Sequence, residues 1–468
     1  MKCKDLEIKI DEKEPFKNDK LNRLPIANNL TTIVNLYADT GAVISLDGEW
    51  GAGKTTFIKM WKQFLVNNNY KCIYFNAWEC DYKDDPFVAL FSELNNIFNN
   101  SDSFKELVSR GSKILLKLGG GIIKGALAKT TGITVDALTA TTEEIEEQCY
   151  NKIEEYQKSK ESLANFKNKL SEFVAYEAKS NPLVFFIDEL DRCNPHFAIK
   201  LLERIKHLFD VPNIIFVLAV NLNQLQYAVQ GFYGSPNIDG CMYLKRFIDI
   251  EYHLPAPNME TYCDYLYEQY EIKSFFESDH RMYNSELKDA SVLFLYLARD
   301  LLIASKMSLR AANRLFAYIR LALCGFDNNS NFSSSIFLLL TYFKEFQPDL
   351  YDAIKMGDYS IQELLYQIES HLPPSLFNYD EFSQHHIAWA VASLIIHYNR
   401  PSNRLEREQL HNNGTEENPS FPIKSNKINQ SELNKGLNFY SKGRCLGYSM
   451  QSILERIDLV SSIRLNTI

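Results

Sequence analysis

The chain has 468 residues, of which 46% are hydrophobic and 23% are charged, and its formal net charge is -9. The length is sufficient for about two to three domains, and the composition is in the ordinary range for a soluble globular protein that buries a sizeable core. The acidic balance argues against a broadly basic surface that coats nucleic acid. The cysteines are scattered and never form a CxxC pair, so neither a disulfide framework nor a zinc knuckle is indicated.

Two features of the sequence bear on its location. The first residues are charged and lack the apolar core of a signal peptide, and free cysteines suit a reducing compartment, so we expect a cytoplasmic protein. The longest uncharged apolar stretches, 332–342 and 387–398, are too short to span a bilayer. Residues 113–138 are rich in glycine and alanine but are interrupted by lysines. We interpret them as part of a helical insertion, with peripheral contact to a membrane as the alternative.

Strand and helix signals alternate along the first half of the chain. The predicted strands are 41–47, 71–77, 183–187 and 214–220. The predicted helices around them are an amphipathic one within 15–40, then 54–68 and 86–98. Continuous apolar strands suit a parallel sheet that is buried on both faces. The pattern therefore predicts an α/β fold in three layers, with helices on both sides of a parallel sheet.

The remainder of the chain is predicted to be helical. A long charged helix from about Thr142 to Lys179 is interpreted as a solvated surface helix or coiled-coil arm, with a partner-binding arm as the alternative. Strand signals nearly vanish after Pro255, and residues 326–335 are typical of a linker. The predicted division is a core (12–98 and 181–256), a helical insertion (99–180), a helical lid (257–325) and a helical C-terminal domain (326–468).

A phosphate-binding motif lies between the first predicted strand and its helix. The segment from Gly48 to Thr55 matches GxxxxGK[ST] in full. Glycines let the backbone curl so that several N–H groups point at one phosphate. Lys54 is expected to reach the β- and γ-phosphates, and the Thr55 hydroxyl to bind Mg²⁺. The predicted nucleotide-binding residues here are Gly48, Glu49, Trp50, Gly51, Ala52, Gly53, Lys54, Thr55 and Thr56.

Acidic and polar residues follow two later strands. Asp188 and Glu189 end a buried apolar run, so we predict that Asp188 binds Mg²⁺ and that Glu189 is the general base for water. Arg192 either pairs with Asp191 or contacts a phosphate, directly or across a subunit boundary. Asn221 follows the next strand. It holds the attacking water, senses the γ-phosphate or caps the following helix.

With these residues in place, the chain resembles the KAP family of P-loop NTPases, a branch of the additional-strand, catalytic-glutamate class. The phosphate loop matches the family's Walker A motif. The block from Asp188 to Cys193, followed by Pro195, matches its most distinctive motif. Other matching stretches are Pro15–Leu21, Phe75–Trp78, Tyr243–Phe247 with Leu254–Pro255, and Ser308–Arg310. The resemblance covers about residues 12–325.

The resemblance implies Mg²⁺-dependent hydrolysis of a nucleotide, ATP, by a P-loop core. It also implies a helical lid whose Arg310 approaches the γ-phosphate. Bacterial members often resemble components of phage exclusion or defence. Many members carry transmembrane helices between the two motifs, where this chain has only residues 113–138, and an aspartate where it has Asn221.

We therefore predict an ATPase that couples hydrolysis to a conformational change or to assembly, as a homo-oligomer or with a partner protein. Closure of the lid would complete the site, so basal turnover should be slow. One alternative is a nucleotide-gated switch or scaffold with little turnover. Another is an ATPase stimulated by nucleic acid, which the acidic charge disfavours. Trp78 is interpreted as a packing residue rather than a base-stacking one, and Arg246 as a surface or helix-pairing arginine.

Overall fold

The computed structural model of the protein describes most of the chain outside the predicted insertion 99–180. The described residues are 9–82, 86, 89–90, 92–94, 161, 163–176, 181–283, 287–327, 330–378, 381–400, 408–442 and 448–461. They fall into two compact units, one of which is Ile8–Pro255, while the other contains Ala256–Ile468. Residues 113–138, with their open membrane alternative, lie outside the described residues. Among the residues that are described, no helix combines the length and the apolar character needed to cross a bilayer.

The first unit is built on a parallel sheet. In chain order its strands are β1 (Ala42–Asp47), β2 (Cys72–Asn76), β3 (Leu183–Asp188), β4 (Ile214–Val220) and β5 (Ile250–His253). In space their order is β2-β3-β4-β1-β5, and all neighbouring pairs are parallel. Strand β4 therefore lies between β1, which leads into the phosphate loop, and β3, which ends in the acidic pair.

Helices cover both faces of the sheet. In the first unit they are α1 (Leu24–Leu36), α2 (Lys54–Asn67), α3 (Pro195–Leu208), α4 (Leu222–Tyr233) and α5 (Gly240–Leu244). Because successive side chains of a strand point to opposite faces, Val184 and Phe186 share a core with α1 and α2. Phe185 and Ile187 share a second core with α3 and α4. Burial on both faces explains the continuous apolar runs, and the predicted three-layer α/β/α fold is confirmed.

Most elements of the first unit lie where the sequence predicts them, but β5 was not predicted. It has four residues at the edge of the sheet, and its side chains alternate between half-buried and exposed. It therefore lacks the apolar run that marks the other strands. Within the predicted long charged helix, the described residues 163–176 are helical.

The described residues of the second unit form helices and loops. The helices are α6 (Met259–Gln269), α7 (Ile272–Phe276), α8 (Asp279–Tyr283), α9 (Ala290–Ala304), α10 (Leu309–Leu323), α11 (Ser334–Phe346), α12 (Pro348–Met356), α13 (Ile361–His371), α14 (Glu381–Tyr398), α15 (Gln430–Ser441) and α16 (Met450–Ser461). One hydrophobic core draws side chains from most of them. Phe326 and Phe332, inside the predicted linker, stack in this core with ring centroids 4.1 Å apart. The division at residue 326 into a lid and a C-terminal domain stays a prediction.

Candidate functional site

The turn between β1 and α2 contains the predicted phosphate loop. Gly51 and Gly53 have φ angles of 79° and 81°, a region that residues with a Cβ rarely adopt. The chain can therefore curl back directly into α2, which begins at Lys54. Thr55 and Thr56 follow in the first turn of that helix and are half-buried. A curled loop that opens into a helix N-terminus is the backbone shape on which the predicted phosphate site depends.

Lys54 is the buried cation of this turn. Only 9% of it is exposed, and its Nζ donates to the backbone carbonyl of Gly48 and, at 3.1 Å, to that of Glu49. Burial lowers the pKa of Lys54, while nearby carboxylates, Asp191 first among them, act in the opposite direction. These direct hydrogen bonds go to neutral carbonyl groups, so an anionic phosphate would be a stronger partner.

Asp188 is the last residue of β3 and lies at the carboxyl-terminal end of the sheet, where β1 leads into the phosphate loop. It lies in register with Ala219 of β4, which lies in register with Leu46 of β1, so two strand spacings, about 10 Å, separate it from β1. Its buried carboxylate accepts hydrogen bonds from the Thr55 hydroxyl and, at 3.0 Å, from the Tyr74 hydroxyl. Burial raises the pKa of Asp188, and these hydrogen bonds oppose the rise. The two predicted metal ligands are thus in direct contact.

Glu189 follows β3 in a constrained conformation. Its φ is 60°, in the left-handed region that costs a residue with a Cβ roughly 1 kcal/mol. Both of its carboxylate oxygens have partners. Oε1 lies 2.8 Å from Nη1 of Arg192, and Oε2 accepts a hydrogen bond from Nδ2 of Asn76 at 3.3 Å. Backbone strain at a residue held from both sides is typical of functional sites.

The neighbouring residues Asp191 and Arg192 point to different partners. The ion pair of Arg192 joins it to Glu189 rather than to Asp191. Asp191 instead accepts hydrogen bonds from the Trp50 indole N–H at 2.6 Å and from the backbone N–H of Asn221 at 3.0 Å. In place of the pairing of Arg192 with Asp191 that the sequence offered as one alternative, Arg192 pairs with Glu189, and Asp191 contacts Trp50 and Asn221.

Asn221 connects β4 to the phosphate loop. Its side-chain oxygen accepts a hydrogen bond from the backbone N–H of Gln224 at 3.2 Å, which is the capping role that the sequence left open. Its Nδ2 donates to Oε2 of Glu49 at 2.9 Å. Asn221 therefore caps α4 and contacts the loop at the same time.

The sequence around this site matches a known family. The model of the KAP family P-loop domain matches residues 23–323, the larger part of the chain. The chain belongs to the KAP family of P-loop NTPases. The matched region takes in the whole sheet edge of this KAP protein and the second unit as far as the end of α10.

Individual relatives of the KAP chain are distant. An uncharacterized protein of Methanocaldococcus jannaschii is 26% identical over 173 residues, which cover 31% of this chain and 88% of that protein. A chain in the structure of Drosophila ORC bound to DNA has 13% identity and a TM-score of 0.36, over 66% of this chain and 63% of that one. The Aeropyrum pernix ORC2 protein in its ADPNP-ADP complexes has 15% identity and a TM-score of 0.34, over 74% and 72% of the chains. At these values neither structure bears on the activity of the KAP chain.

Several contacts of the site involve residues to which the sequence analysis gave no role in the site. Tyr74 and Asn76 of β2 lie next to β3 and donate to Asp188 and Glu189. A polar side chain at the carboxyl end of a strand was the available signal for Asn76. Arg23 donates to the phosphate loop from 29 and 30 residues away, and no local pattern marks it.

Three other residues named in the sequence analysis are Arg310, Arg246 and Trp78, and the structure places each of them as follows. Arg310 is exposed near the start of α10 in the second unit, and its approach to the γ-phosphate stays a prediction. The Arg246 guanidinium lies 5.7 Å from the ring centroid of Tyr243. Trp78 is not a core residue, because 51% of it is exposed. Its ring centroid lies 5.8 Å from the guanidinium of Arg192.

The residues at this edge suit a nucleotide with a divalent cation. Mg²⁺ prefers hard oxygen ligands, and the Thr55 hydroxyl meets the Asp188 carboxylate here. Lys54 and the N-terminus of α2 supply positive charge for phosphate groups. The donors present therefore fit the group that the KAP family implies.

Proposed function

We propose that this KAP protein hydrolyses ATP with Mg²⁺ and couples the reaction to a conformational change or to assembly. The observation that carries the proposal is the contact between the Thr55 hydroxyl of the phosphate loop and the Asp188 carboxylate of β3. These side chains come from distant parts of the chain. A loop suited to phosphates and a carboxylate suited to a metal ion meet at one edge of the sheet, with Glu189 beside them.

The contacts of each side chain support a separate role. Lys54 and the loop N–H groups neutralise phosphate charge. Thr55 and Asp188 would hold Mg²⁺, which when bound offsets charge that develops on the phosphates. A carboxylate oxygen of Glu189 takes the proton of the attacking water while the water oxygen bonds to the γ-phosphorus and the bond to the bridging oxygen breaks. Asn221 holds the loop against β4 through Glu49.

Glu189 is held in a way that limits basal turnover. Arg192 occupies one carboxylate oxygen and Asn76 occupies the other. Because both oxygens already have partners, activation must free one of them before it can accept a proton from water. The same observation supports a second candidate function, a nucleotide-gated switch or scaffold in which hydrolysis is rare.

Replacing Arg192 by glutamine is expected to raise basal turnover by about 1.5-fold to fivefold. The paired side chains are 26% and 16% exposed, and ion pairs of this kind are worth about 0.2–1 kcal/mol. Phosphate release under steady-state conditions measures the effect, and Arg192→Lys, which keeps the charge, is the matched control. A fall in turnover would support the alternative in which Arg192 acts on a phosphate.

Removal of Mg²⁺ is expected to stop ATP hydrolysis. Phosphate release from ATP is measured with Mg²⁺ and with excess chelator, and the mass of the assembly is measured with and without ATP. Release that depends on Mg²⁺ supports the ATPase, and a protein that neither binds nor hydrolyses ATP contradicts it.

Adding DNA or RNA at moderate salt tests the alternative of stimulation by nucleic acid. An ATP-dependent rise in mass supports a homo-oligomer, and a co-purifying protein supports a partner.

Two further statements come from the sequence and its family resemblance. They are a cytoplasmic location and a role in phage defence. Both stay predictions, as does membrane contact through residues 113–138.

A further inference from the structure

Arg23 is a buried cation whose side chain binds backbone carbonyls of the phosphate loop. It is 4% exposed. Its Nη1 donates to the carbonyl of Gly53 at 3.0 Å, and its Nη2 donates to the carbonyl of Ala52 at 2.7 Å. The planar guanidinium thus bridges two consecutive carbonyls, a geometry that its fork of donors allows. The proposed reaction gives this residue no part.

The two peptide units that Arg23 contacts also contain the N–H groups of Gly53 and Lys54. In a planar peptide unit the carbonyl and the N–H are conjugated, so a hydrogen bond at one end polarises the other. A charged donor on the carbonyl oxygen therefore makes the N–H a stronger donor. Arg23 is placed to strengthen two N–H groups at the point where the loop enters α2.

The chain before α1 fixes the position of the guanidinium. Asn22 has a φ of 51°, a left-handed conformation that asparagine tolerates, and it turns the chain directly before Arg23. The Asp19 carboxylate accepts hydrogen bonds from the backbone N–H groups of Arg23 and Leu21. Burial lowers the pKa of Arg23 to about 10, and Asp19 opposes this change. The guanidinium is therefore charged at neutral pH.

Phe16 anchors the same segment to the helix that follows the loop. Its ring centroid lies 6.5 Å from that of Phe57 and 6.1 Å from that of Phe64, both on α2. Residues 16–23 thus connect the body of α2 to the carbonyls at its N-terminus. The stretch Pro15–Leu21, which resembles a family motif, therefore supports Arg23 through Phe16 and Asp19.

We propose that Arg23 is a positioning residue, which aligns and polarises the Gly53 and Lys54 amides for the terminal phosphates of a nucleotide. The inference rests on the proposed function, because it assumes that a nucleotide occupies the loop. Without Arg23, the carbonyls of Ala52 and Gly53 lose their charged donor. Nucleotide affinity should then fall more than the stability of the fold accounts for.

Replacing Arg23 by glutamine is expected to weaken ATP binding by about tenfold to a hundredfold. The free energy of a hydrogen bond to a charged group corresponds to a change in affinity of this size. Calorimetric titration with ATP and Mg²⁺ gives the affinity, and thermal unfolding without nucleotide gives the stability. Thr31→Val is the matched control. Thr31 lies on α1, and its hydroxyl accepts the indole N–H of Trp61 on α2 at 2.9 Å. This variant loses a contact between α1 and α2, the helices that follow Arg23 and the phosphate loop, but should keep wild-type affinity.

Arg23→Lys completes the test and decides it should the glutamine variant fail to fold. Lysine keeps the charge but lacks the fork, so its affinity should lie between those of the wild type and Arg23→Gln. Wild-type affinity in Arg23→Gln, or in Arg23→Lys, would overturn the inference while leaving the proposed function standing. A wild-type protein that binds no ATP would instead overturn the proposed function, and the inference with it.

Discussion

Replacing Lys54 by alanine is expected to weaken ATP binding by at least about a hundredfold. Without nucleotide, the buried ammonium is held by the carbonyls of Gly48 and Glu49. Phosphates would replace these neutral partners with anionic ones, and charge-assisted hydrogen bonds are the stronger kind. Alanine supplies neither the charge nor the donors. Calorimetric titration of ATP in the presence of Mg²⁺ measures the loss.

Lys62→Ala provides the matched control for this variant. Lys62 lies about two turns further along α2, is half-buried and stands outside the phosphate loop. Its removal should leave the affinity for ATP unchanged. Tight ATP binding by Lys54→Ala would show that the loop is not the nucleotide site.

Replacing Glu189 by glutamine is expected to lower turnover by about a hundredfold to ten-thousandfold, with ATP affinity close to that of the wild type. Glutamine has the same size as glutamate. Its amide oxygen can accept the hydrogen bond that Asn76 donates to Oε2 of Glu189 in the wild type. It cannot take a proton from water at neutral pH. Single-turnover phosphate release and equilibrium binding, measured together, separate the two effects.

Glu79→Gln is the control for the loss of a carboxylate at this edge. Glu79 accepts a hydrogen bond from the same Asn76 amide at 2.9 Å, but it is exposed and does not follow β3. The turnover of the Glu79→Gln variant should match that of the wild type. Undiminished turnover in Glu189→Gln would remove Glu189 from the reaction. Lost turnover with full biological activity would favour the nucleotide-gated switch.

Local signals in the sequence predicted the three-layer α/β/α fold, apart from β5, and located the phosphate loop and the acidic pair along the chain. The segment from Gly48 to Thr55 is contiguous and lies between a strand and a helix. Asp188 and Glu189 directly follow an apolar run. Each pattern consists of residues that are close in sequence. The local backbone conformation and the burial of these residues can therefore be predicted without the tertiary structure.

Contacts between distant segments could not be read in this way. The bond from Asn221 to Glu49 depends on β4 lying next to β1. The bond from Asn76 to Glu189 depends on β2 lying next to β3. Strand order is a property of the whole sheet, and periodicity along the chain does not encode it.

The most direct test of the central claim is a structure determined with Mg²⁺ and a non-hydrolysable ATP analogue. The proposed function predicts the terminal phosphates in the loop from Gly48 to Thr55, with the metal ion between that loop and Asp188. A nucleotide bound elsewhere on the protein, or a loop that remains empty at saturating analogue, would contradict it.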